Sequence, residues 1–206
     1  MKPVEQKVYL ASKSPRRREL LRQIGVDFVL LLLREQAPRG PDVDEAVLSG
    51  EHAIDYVARV SREKAELARR IMLGRRLPVY PILSADTTVV IDDRILGKPA
   101  TPAEAAAMLG DLSGRTHQVL TSVTVCSETD TWQLTQRSDV TFAKLSPQTQ
   151  QAYCATSEPY DKAGGYGIQG IAASFIERID GSYTGIMGLP LFETTQLLRQ
   201  AGIRIL

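Results

Sequence analysis

Apolar and polar positions follow two rhythms along the chain, and the rhythm changes often. Residues 8–11 are a short unbroken apolar run, which predicts a buried strand. Ser14 and Pro15 follow, a good N-cap and a residue suited to the first helical position. Leu20, Leu21 and Ile24 then share one helical face, and Gly25 ends it. The apolar residues 28–33 predict a second buried strand. Residues 34–50 break both rhythms with Pro38, Gly40 and Pro41 and read as a long polar loop carrying Asp42, Asp44 and Glu45. Loops of that length are often functional. Between 51 and 73 the helical period returns, with Ile54, Val57, Ala58, Ala65, Ala68 and Ile71 marking the buried side.

Residues 81–85 predict a strand leading into Asp86-Thr87-Thr88, with 89–91 continuing extended. Asp92-Asp93 makes a hairpin turn into 94–96. Thr101 and Glu104 form a capping box for a helix over 102–112, which Ser113-Gly114 stops. Residues 118–126 and 132–142 read as an antiparallel hairpin, and Ser146 opens a helix to 155. A glycine-rich loop spans 158–170, a strand 175–179, and a loop 180–188. Pro190 opens the last helix, which ends near Gly202, and 203–206 add a short edge strand. Helices alternate with strands while the hairpins demand antiparallel pairs. The expected class is α/β or α+β: one domain over 1–206 with a mixed sheet, flanking helices and two lobes around a cleft.

The 206 residues have an ordinary apolar fraction of 43% and a net charge of +1. The molecule is therefore no polyelectrolyte binder, and neither nucleic acid nor a membrane surface is an expected partner. Residues 29–33 are far too short to span a bilayer. Cys126 and Cys154 form no metal-type pair and fit a reduced, cytoplasmic setting.

Local charge is more informative. Arg16, Arg17 and Arg18 fall in the first turn of the first helix, where each cation opposes the helix dipole by about 0.3–1 kcal/mol. A polyanion there would reverse the sign, meeting backbone N–H groups, the Ser12 and Ser14 hydroxyls and guanidinium forks. The alternative is that the arginines fan into solvent. Asp86 at a strand end suits a general base or a cation ligand, or else a turn-capping carboxylate. Lys64, Lys98 and Lys162 are surface charges taken singly, and with Arg16 and Arg17 they would clamp a triphosphate. Gly164, Gly165, Gly167 and Gly170 let backbone approach a ligand, and Gln169 offers both a donor and an acceptor to a base edge. Neither a Walker nor a Rossmann pattern occurs there. His52 and His117 lie near no serine elbow, so nucleophilic catalysis is disfavoured. His117 reads as structural.

Six ordered blocks carry a resemblance over nearly the whole chain. They are Leu10-Ala11-Ser12-Lys13-Ser14-Pro15-Arg16-Arg17, Ser84-Ala85-Asp86-Thr87, Gly97-Lys98-Pro99, Leu112-Ser113-Gly114-Arg115-Thr116-His117, the stretch 161–170, and Gly188-Leu189-Pro190-Leu191. Together they resemble the Maf family of nucleoside triphosphate pyrophosphatases. The resemblance implies a fold like the inosine-triphosphate pyrophosphatases, with a deep central cleft. It implies cleavage between the α and β phosphates, with Asp86 as general base and with Arg16, Thr87 and Gln169 tied to substrate choice. Ser12, Arg17, Lys64, Lys98 and Lys162 become phosphate-site residues. A divalent cation, Mg²⁺ or Mn²⁺, would be held by Asp86 and an acidic loop residue, Glu45 or alternatively Glu35. The Tyr166-Gly167-Ile168-Gln169 block resembles the subgroup acting on dTTP and UTP, and a homodimer is compatible with the family. Two other readings stay open: a non-catalytic nucleotide-binding regulator of septum formation, and a pyrophosphatase for modified purine nucleotides.

Overall fold

The computed structural model describes residues 6–33 and 43–205. Its elements are β1 (Lys7–Leu10), α1 (Pro15–Gln23), β2 (Asp27–Leu30), α2 (Ala53–Gly74), β3 (Ile82–Ile91), β4 (Arg94–Leu96), α3 (Pro102–Leu112), β5 (Thr116–Cys126), β6 (Thr131–Phe142), α4 (Pro147–Cys154), β7 (Ile176–Asp180), α5 (Tyr183–Ile186) and α6 (Leu191–Gln200). The seven strands form one mixed sheet in the order β2-β1-β3-β5-β6-β7, with β4 also paired to β3. β1 is parallel to β2 and β3, and every other pairing is antiparallel. The expected mixed α/β architecture is what forms.

Local chemistry sets the element ends. Ser14 Oγ accepts from the Arg17 amide, Thr101 Oγ1 from the Glu104 amide and Ser146 Oγ from the Thr149 amide, each ahead of a proline-initiated helix. Asp92 and Asp93 both take positive φ, which a two-residue hairpin turn requires.

Strand periodicity sorts β3 between two layers. Leu83 and Ala85 face α1 and α6, packing with Leu10, Leu20, Leu21, Leu197 and Leu198. Ile82 faces α2, packing with Ala65, Ala68 and Met72. Another cluster under α3 and α4 gathers Val89, Leu109, Leu112, Phe142, Tyr166 and Phe175. The α2 interface is partly polar. Ser61 lies 2.9 Å from Thr124 Oγ1, and Gln133 Nε2 donates to the Ala58 carbonyl at 2.6 Å. Such buried groups are tolerated because they are paired.

Several expectations are corrected. The second strand stops at Leu30, and Val29, Leu30 and Leu32 are exposed, because β2 is a sheet edge and not a central strand. Asp86 lies inside the ten-residue β3, not at a strand end. Ile54 is 52% exposed in the first turn of α2, and Val60 and Met72 take core positions instead. The 158–170 loop contains tight helical turns at Glu158–Asp161 and Ala163–Gly165, and the 180–188 loop contains α5. Residues 203–205 form no strand; Ile203 and Ile205 are buried against α6 and β1 as irregular chain. Glu35 and the rest of residues 34–42 lie outside the described residues. Cys126 and Cys154 are free and buried. Among the described residues no helix is long and apolar enough to cross a membrane.

Candidate functional site

The site begins with a gap in hydrogen bonding. One edge of β3 pairs with β5 along residues 82–90. The other edge pairs with β1 at Ile82 and Leu83, and with β4 only from Val89 onward. Among the described residues no strand pairs with 84–88 on that side. A cleft of about 710 Å³ opens there, within the range of small-molecule and cofactor sites. Asp86 and Thr87 point to opposite faces of the strand, yet both line the cleft, because it passes the open edge and reaches both faces.

Arg17 is the hub on the α1 side. Its Nε donates to the Gly188 carbonyl at 2.7 Å, Nη1 to Ser12 Oγ at 3.2 Å and Nη2 to Thr87 Oγ1 at 3.2 Å. Thr121 Oγ1, on the β5 residue paired with Thr87, lies 3.0 Å from Thr87 Oγ1 and 2.8 Å from the Gly185 carbonyl oxygen. The guanidinium is therefore fixed by residues far apart in sequence. Burial pushes its pKa down, and the Asp86 charge opposes that shift. Arg18 is not part of the cleft lining. It folds back onto the Lys13 and Ser14 carbonyls.

On the α2 side, Lys64 Nζ stands between two carboxylates. It is 2.8 Å from Asp86 Oδ1 and 2.8 Å from Glu45 Oε1. Tyr56, two turns earlier on the same helix, also lines the cleft. Its pKa is pushed up to about 12, first by burial and then by the negative charges of Asp86 and Glu45. Two converging carboxylates that already share one cation suit a hard divalent ion. Among the described residues no group of three or more His, Cys, Asp and Glu gathers anywhere.

The glycine-rich segment closes the far wall. Arg16 Nη1 lies 3.1 Å from Asp161 Oδ2, and Lys162 pairs with the other oxygen of the same carboxylate. Gly164 sets the approach: its φ is +69°, and a Cβ there would stand 2.8–2.9 Å from the Val89 side chain. Gly164→Ala is expected to cost about 2–4 kcal/mol from overpacking and backbone strain. A thermal melt should fall by about 5–15 °C, and an unchanged midpoint would contradict this packing.

Tyr166 fixes the segment from below. Its hydroxyl lies 2.7 Å from His117 Nε2, and both rings meet Phe142 edge-on. Burial lowers the His117 pKa from 6.5 to about 4. As pH falls below 6.5 the unfolded chain takes the proton first, so stability is complete above 6.5 and is lost between 6.5 and 4. The loss is about 3 kcal/mol. Urea midpoints at pH 7 and 4.5 should differ more for the wild type than for His117→Gln, and equal differences would remove His117 as the cause.

Comparison with known proteins decides the lineage. A family model described as "Maf-like protein" matches residues 7–201. The chain belongs to the Maf family. A relative from Nitrosospira multiformis, named dTTP/UTP pyrophosphatase, is 53% identical over 202 residues and covers 98% of each chain. One from Cupriavidus metallidurans with the same name is 54% identical, covering 95% of this chain and 97% of its own. Among solved structures, the Staphylococcus aureus Ham1 protein matches at 15% identity and a TM-score of 0.42, covering 66% of this chain and 72% of its own, too low a score to bear on the fold.

The Maf chain brings its dispersed candidates to one cleft. Ser12, Arg16 and Arg17 arrive from the β1–α1 junction, Glu45 from the segment before α2, and Lys64 from α2. Asp86 and Thr87 come from β3, Lys98 from the turn after β4, and Lys162 and Gln169 from the glycine-rich segment. Among the described lining residues, six cations, including Lys13, face three carboxylates, Glu45, Asp86 and Asp161, an excess of three positive charges. Tyr56, Thr121, Asp161 and the Gly188 carbonyl were not assigned roles from the sequence. Tyr56 had a usable signal, since 56, 60 and 64 share a helix face. Thr121 had none, because it is tied to Thr87 by strand register alone.

Proposed function

We propose that the cleft binds a nucleoside triphosphate, dTTP or UTP, and hydrolyses it between the α and β phosphates to the monophosphate and pyrophosphate. The observation that carries this reading is the placement of Asp86, a buried carboxylate on the open edge of β3, facing a pocket with excess positive charge. The names of the relatives support the same substrate class.

In this reading the Asp86 carboxylate takes a proton from the attacking water. The water oxygen bonds to the α-phosphorus, and the bond from that phosphorus to the bridging oxygen breaks, leaving the electron pair on pyrophosphate. Arg16, Arg17, Lys98 and Lys162 neutralise charge on the departing oxygens and the Ser12 hydroxyl donates to them; Arg17 is already held by Gly188, Ser12 and Thr87, so it reorganises little during the reaction. Lys64 pairs with the Asp86 carboxylate at 2.8 Å and fixes its orientation. Gln169 and Thr87 select the pyrimidine edge. A divalent cation held by Glu45 and Asp86 would supply charge neutralisation and orientation of the phosphates.

A panel of dTTP, UTP, 5-methyl-UTP, ITP and 7-methyl-GTP with Mg²⁺, followed by pyrophosphate detection, tests the reading. Release from the first three and little from the purines is expected. Binding without release would make the protein a nucleotide sensor, and preference for the purines would move it to the other specificity.

A further inference from the structure

The segment that delivers Glu45 to the cleft belongs to no helix or strand between residues 43 and 52. Its backbone carbonyls therefore lack ladder partners, and such groups ordinarily turn to water. Here three consecutive ones are taken by one face of α2. Arg59 Nη1 donates to the Asp44 carbonyl at 3.3 Å and Arg59 Nη2 to the Ala46 carbonyl at 2.9 Å. Between them, the Tyr56 hydroxyl donates to the Glu45 carbonyl at 3.1 Å.

The two gripping side chains are one helical turn apart and support each other, with the Arg59 guanidinium 5.7 Å from the Tyr56 ring centre. Glu51 fixes the fork from the opposite edge. Its carboxylate accepts from Arg59 Nε at 2.6 Å and Nη2 at 2.9 Å, and also from the Leu48 amide at 3.0 Å. Held by Arg59, the Glu51 carboxyl is lowered to about 2, so the pair stays ionised through the neutral range. The grip thus begins and ends on the same short segment, and Glu45 is its centre.

We propose that Arg59, assisted by Tyr56, is a positioning residue that holds the Glu45 backbone so that its carboxylate meets Lys64 and Asp86 at the cation site. The inference rests on the reading of Glu45 as a cation-holding residue. It assigns to Arg59 a role at a site it does not itself line. A lysine cannot replace it, because an ammonium is a point donor and cannot span two carbonyls and a carboxylate at once.

The test is Mn²⁺ binding to the full chain without nucleotide, read by the electron-paramagnetic signal of free Mn²⁺, beside the Mg²⁺ concentration that half-saturates turnover. Arg59→Lys should raise the Mn²⁺ dissociation constant by about tenfold, as loss of a partner that orients a ligand does, with kcat at saturating Mg²⁺ preserved. Glu45→Gln should weaken binding at least as much, and the double variant should be no weaker than Glu45→Gln alone. Arg62→Lys, on the same helix but bonded to Gln133, should bind as wild type. Tyr56→Phe removes the central bond only and should shift affinity in the same direction, which keeps the proposal testable if Arg59→Lys fails to fold. Normal Mn²⁺ affinity in Arg59→Lys, with Glu45→Gln weakened, would overturn the inference and leave the reading of Glu45 standing. Normal affinity in Glu45→Gln would overturn both. Full additivity in the double variant would show that Arg59 does not act through Glu45.

Discussion

Asp86→Asn is expected to lower pyrophosphate release from dTTP by about 10²–10⁴-fold, the range that one general base contributes. The substitution is nearly isosteric, and an amide oxygen can still accept from Lys64, which keeps Glu45 as its second partner. β3 retains its pairing with β5, since those bonds come from the backbone. The melting temperature should therefore stay near that of the wild type while turnover disappears. Circular dichroism and a coupled pyrophosphate assay on the same preparation separate the two quantities. A folded variant with ordinary turnover would remove Asp86 as the base.

The second large effect falls on Arg17. Its three bonds run to residues 12, 87 and 188, so the guanidinium planes the site as well as charging it. Arg17→Lys retains the charge but not the fork, and kcat/KM for dTTP should fall by about 10²–10³-fold, equivalent to about 2.7–4 kcal/mol. The Gly188 carbonyl also loses its donor, which should cost about 1–3 kcal/mol of stability. Arg18→Ala is the contrast, since among the described residues Arg18 bonds to the nearby Lys13 and Ser14 carbonyls, and it should leave kcat/KM unchanged. Steady-state kinetics on both variants check the pair. Equal behaviour at the two positions would mean that the bonds of Arg17 do not matter.

The same contrast shows where sequence reasoning ends. Three adjacent arginines in one helical turn are indistinguishable as a string, and all three oppose the helix dipole. The fold sends Arg16 and Arg17 into the cleft and Arg18 back along its own helix. Asp86 illustrates a different limit. Its chemistry was legible, but a run of mixed polar and β-branched residues reads equally as a strand end or a strand interior, and only pairing with β5 makes it interior.

What the chain determined alone is local. Caps at Ser14, Thr101 and Ser146, the Asp92-Asp93 turn and the periods of the helices and strands all depend on atoms a few residues apart, which sequence places together whatever the fold. The ordered motifs likewise announce the family. Tertiary structure alone decided that β2 is an exposed edge, that, among the described residues, 84–88 are left open between β1 and β4, and that Glu45 and Asp86 share the Lys64 ammonium. Those outcomes follow from strand order and register. The Arg17–Gly188 bond is of the same kind, joining positions 171 residues apart, a distance over which neither propensity nor periodicity carries information.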